Sequence, residues 1–123
     1  MNESVRILAY EKVNELLTLI NDRDLHGLDL KFGISFAVFD EIEEILGKYF
    51  SDSVMLSPPP LSVAFSSEKG LRLPFDFYQM NDQAKWGVEC VLWANSIRSE
   101  PILHVEIEVM NGGVKLYYKY IGS

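Results

Sequence analysis

His104, Glu106 and Glu108 are the residues whose types and spacing are best suited to chemistry. On an extended segment, side chains two residues apart point the same way. An imidazole beside two carboxylates could hold a divalent cation or act as a general acid/base pair. The same spacing arises by default in an antiparallel sheet with one face in water, and that solvated face is the simpler reading. Metal sites use three or four ligands at characteristic spacing, whereas this chain has two histidines, His26 and His104, and a single cysteine, Cys90. The phosphate loop GxxxxGK, the dinucleotide loop GxGxxG and the GxSxG elbow are all missing. A lone cysteine within an apolar segment reads as a small hydrophobe, because a nucleophile needs an electropositive setting. These residues describe a protein with no catalytic group, metal or cofactor.

Charge and aromatic content point towards binding instead. The net charge is -7; residues 1–50 carry ten acids against five bases, and residues 51–123 carry eight against six. An acidic surface repels nucleic acid and anionic lipid and favours basic partners, although charge of this size also serves plain solubility. Phe75, Phe77, Tyr78, Trp86, Trp93, Tyr117, Tyr118 and Tyr120 could stack on RNA bases, but such platforms come with basic surroundings. Exposed Tyr and Trp also anchor protein interfaces; packing against helices is the competing role for the same residues. The candidate partner-binding set is therefore Asp40, Glu41, Glu43 and Glu44 with Trp93, His104, Glu106, Glu108 and Tyr117.

The elements that must carry these residues are legible from periodicity. Val5, Leu8, Ala9, Val13, Leu16, Leu17 and Ile20 predict a helix over 2–22 with Ser4 as its N-cap. Residues 25–35, interrupted by Gly27 and Gly33, read as a loop with one extended piece at 28–32. Val38, Phe39, Ile42, Ile45, Leu46 and Tyr49 predict a second helix ending near 47–50. Its acids fall between the apolar positions, near a start that the helix dipole makes favourable for them. Pro58-Pro59-Pro60 predicts a stiff extended connector. Strands are expected at 61–65, 71–78, 86–94, 102–110 and 114–121, with Pro74 marking an edge or bulge and Asn111-Gly112-Gly113 a hairpin turn. Leu103, Val105, Ile107 and Val109 should face the core. At 123 residues, one α+β domain is expected: two N-terminal helices packed on a curved antiparallel sheet of about four strands.

That layout, with Trp86-Gly87-Val88-Glu89-Cys90-Val91-Leu92-Trp93, then Arg98-Ser99-Glu100, then the alternating acidic strand and its hairpin partner, resembles the cystatin-like cone of the nuclear transport factor 2 superfamily. Small domains of that sort occur among bacterial immunity proteins of polymorphic toxin and contact-dependent growth inhibition systems. The resemblance implies an immunity protein that binds a cognate toxin domain, expected to be a basic nuclease, and neutralises it stoichiometrically rather than by catalysis. The alternative it implies is a small-molecule binding protein or enzyme using the concave sheet face, and a homodimer is a third arrangement. Met1-Asn2-Glu3-Ser4 lacks the basic start of a secretory signal, and no apolar run reaches bilayer length, so a cytoplasmic protein with no membrane contact is expected.

Overall fold

The computed structural model describes residues 2–66 and 70–123, with Asn2 and Glu3 defined by backbone alone. Helix α1 spans Asn2–Asp22. Ser4 lies within it rather than capping it, because a cap there requires the helix to begin at Val5 and it begins three residues earlier. The helix closes with Arg23 in the left-handed region (φ 53). The Arg23 N–H donates to Ile20 O at 3.1 Å and the Asp24 N–H to Leu19 O at 3.0 Å, the two bonds of a Schellman closure.

The segment expected to be a loop is a helix, α2 (Leu25–Phe32). Asp24 caps its start by accepting from the Gly27 N–H at 2.9 Å, and Gly33, at φ 64, closes its end. Gly27 reads as a helix breaker in sequence. Its actual role is spatial, since a Cβ there would meet the Asp24 carboxylate and the Leu19 side chain. Helix α3 (Phe36–Tyr49) starts on Ser35, whose Oγ accepts from the Val38 N–H at 3.2 Å, and it buries Phe39, Ile42 and Leu46.

The proline connector is as expected. Pro58 and Pro59 are buried, and the Tyr10 hydroxyl donates to Pro59 O at 2.7 Å. Just before it lies an unexpected two-residue strand, β1 (Leu56–Ser57). Both backbone groups of Leu56 are clamped by the Asn21 amide, at 2.8 and 2.9 Å. Just after it, the stretch expected to be a strand at 61–65 forms a single helical turn, α4 (Leu61–Ala64). Pro60 supplies the carbonyl that accepts from both Val63 and Ala64.

The sheet comprises β1, β2 (Phe75–Gln79), β3 (Lys85–Ala94), β4 (Ile97–Met110) and β5 (Gly113–Gly122). All pairings are antiparallel in the order β1-β3-β4-β5, with β2 also on β3. Register shifts at Val91/Trp93 and His104/Val105 mark bulges. Bulges sharpen local twist, which suits the strong curl of this half-barrel sheet. The β2 strand is shorter than the 71–78 expected, because Pro74 lies outside the ladder and offers only its carbonyl, to the Val91 N–H at 2.8 Å. Gly112, at φ 84, turns the β4–β5 hairpin.

One face of the sheet joins the helices in a single core. Leu103, Val105 and Ile107 are buried there with Val88, Cys90, Leu16, Leu17 and Ile42. Val109, expected in the same row, is 38% exposed, since the hairpin end runs past the packed helices. Among the described residues no helix is long and apolar enough to cross a membrane.

Candidate functional site

The outer face of the sheet gathers most of the polar and aromatic candidates. Strand register places Asp76, Glu89, His104 and Tyr120 in one row, and Tyr78, Gly87, Glu106 and Tyr117 in the next. The His104 ring stacks on Tyr120 with centroids 4.0 Å apart and planes 11° off parallel. Its Nε2 is buried without a hydrogen-bond partner. Desolvation holds the imidazole below its ordinary range; the nearby Glu89 opposes that shift and Arg72 adds to it. Burial therefore favours the neutral form of the His104 ring.

Three carboxylates on this face have partners of their own, and Asp76 has none among the described residues. Glu89 pairs with Arg72, Glu106 with Lys119 at 3.3 Å, and Glu108 accepts from the Tyr117 hydroxyl at 2.9 Å. In register, Glu108 also lies between Lys85 and Lys115. His104, Glu106 and Glu108 thus share a face as their spacing predicts, yet among the described residues no hydrogen bond joins the imidazole to either acid. Nor does any group of three potential ligands come together around a metal position among the described residues. Chemically the face is a balanced mosaic with aromatic relief. Tyr78 lies across Gly87, where a Cβ would fall within its ring, and half-buried Trp93 sits under the Arg98 guanidinium at 5.6 Å.

The helical acids lie on the other side of the sheet. Asp40, Glu41 and Glu44 are exposed, and none has an ion-pair partner among the described residues. Glu43 is turned inward and paired with Arg23. Because α3 begins at Phe36, these acids fall in its second and third turns, beyond the first turn where the dipole stabilises negative charge. They are also like charges at steps of three and four, which costs an isolated helix a few tenths of a kcal/mol per pair (about 0.2–0.5). The acidic row is therefore unfavourable to the helix that carries it. Its field also reaches the core face of the sheet: burial and the Glu41 charge push the Tyr118 phenol up to about 12.

The nine predicted residues thus divide between two surfaces that the structure keeps apart. Periodicity missed the Arg72–Glu89 pair, the Tyr78–Gly87 contact, and a groove of about 330 Å³ between the ends of α1 and α3 and the chain leading to β1. Arg23, Gly47 and Asp52 line that groove. No protein-family model, curated protein or solved structure matches this chain, so function must be argued from these surfaces.

Proposed function

We propose that this chain is an immunity-type protein that neutralises a basic toxin domain, such as a nuclease, in a stoichiometric cytoplasmic complex. The observation that carries this reading is the row of unpaired, mutually repelling carboxylates at Asp40, Glu41 and Glu44. A basic partner relieves that repulsion, steers to the site through its charge and places its own cations against acids that have no internal claim on them. The mosaic around Tyr78, His104, Tyr117 and Tyr120 offers a second contact area of the aromatic kind that anchors interfaces. The alternative of a small ligand on the inner sheet face is less well supported, because Leu16, Leu17 and Ile42 fill the space against Leu103 and Ile107. The test is co-expression with the toxin domain encoded beside the gene, with growth and complex formation as readouts. Rescue of growth with a one-to-one complex is the expected outcome. Full toxicity without a complex would overturn the proposal.

A further inference from the structure

Two residues on the rim of the groove between α1, α3 and the 50–56 segment are each the wrong choice for their backbone. Arg23 occupies the left-handed closing position of α1 at φ 53, a position where glycine is the usual residue and a side chain is strained. Gly47 occupies a regular helical position in α3, two residues before its end. There glycine weakens a helix and almost any side chain would serve better. No close approach explains it, because a Cβ on Gly47 would meet nothing within 4 Å. A chain that puts arginine where glycine belongs, and glycine where a side chain belongs, on the lining of one groove is arranged around an occupant.

The groove's chemistry says what kind. Its floor is apolar, with Ile20, Leu46 and Leu56 beneath and half-buried Phe50 and Val54 at the side. Its rim carries two carboxylates, Glu43 and Asp52, against one cation, Arg23. Arg23 is itself tied to Glu43 and lies 5.2 Å from the Phe39 ring centroid. We infer that this groove receives a lysine or arginine side chain of the basic partner. The aliphatic stem lies on the floor, the cationic head meets Asp52 and Glu43, and Arg23 acts as a positioning residue that fixes the Glu43 carboxylate at the rim. This inference rests on the proposed function and names the anchor of that complex.

The substitutions Arg23→Gly and Gly47→Leu both suit their backbones, so both should leave the fold intact or raise its thermal stability. A merely structural Arg23 would instead cost stability when lost. The probe is the peptide acetyl-Gly-Arg-Gly-amide, titrated into the full chain and followed through the backbone amide resonances. The expected result is saturable shifts confined to residues 47–54 and 20–23. Those shifts should be absent with the isosteric citrulline peptide and weakened at least about tenfold by Gly47→Leu and by Arg23→Gly. Equal shifts with citrulline, shifts elsewhere, or full binding by Gly47→Leu would overturn the inference. The titration needs no toxin. If the wild-type chain still protects cells while the peptide fails to bind, the groove assignment falls and the proposed function stands.

Discussion

His104 shows how a side chain that looks chemical in sequence becomes structural in place. Its ring is sandwiched against Tyr120, and its neutral form is favoured by desolvation more than Glu89 can counter. An imidazole whose pKa is lowered in the folded state binds its proton more readily in the unfolded chain. Stability therefore rises with pH through the window just below the ordinary histidine value of about 6.5, and it is lost as the solution is acidified through that window. His104→Phe keeps the stack and removes the titration. Urea midpoints at pH 7.5 and 5.5 should differ less in this variant than in the wild type; an unchanged difference would mean that His104 is not the group responsible. The spacing of His104, Glu106 and Glu108 was legible and placed them correctly on one face. Their mutual isolation was not, because Arg72, Lys119 and Tyr117 come from other strands or from the chain before β2, and single-strand periodicity carries no cross-strand register.

Helices and strands with long, regular patterns were readable in sequence: α1, α3, β3, the alternating 102–110 part of β4 and the Gly112 hairpin, whereas the first five residues of β4, from Ile97, were missed. The misread elements are short, and they are held by contacts distant in sequence or by backbone geometry that residue type alone disguises. Gly27 looks like a breaker but is a point of close approach to α1. The β1 strand exists through an amide 35 residues away. Asn21→Ala should release β1 from α1 and, with two partly buried backbone groups left unpaired, cost about 1–3 kcal/mol; equilibrium urea unfolding would register it, and a loss near zero would show that water replaces the clamp. In the central strands, Leu103→Ala or Ile107→Ala removes a fully buried side chain and should cost about 2–5 kcal/mol. Val109→Ala, at the exposed end of the same row, should stay within about 0.5 kcal/mol. A large loss at Val109 would place the hairpin end inside the cooperative core.

Across the whole molecule, charge is unevenly spread: on the sheet's outer face Glu89, Glu106 and Glu108 each have a partner, while α3 leaves Asp40, Glu41 and Glu44 without an ion-pair partner among the described residues. Reversing Glu41 and Glu44 together to lysine should therefore slow association with a basic partner far more than it alters stability. The wild-type rate should also fall as salt shortens the screening length to roughly 8 Å at physiological ionic strength. Stopped-flow association over a salt series reads both effects, and a salt-independent rate would move the interface to the aromatic sheet face. Cys90 gives such experiments an internal clock. It is the only cysteine, it is 0% exposed in the centre of β3, and burial pushes its thiol far up from the reactive range. An alkylating reagent can reach it only in molecules whose sheet has parted from the helices. Added mass per unit time in native buffer therefore reports how often the core opens, and a bound partner that holds the two layers together should slow the modification in proportion to its occupancy.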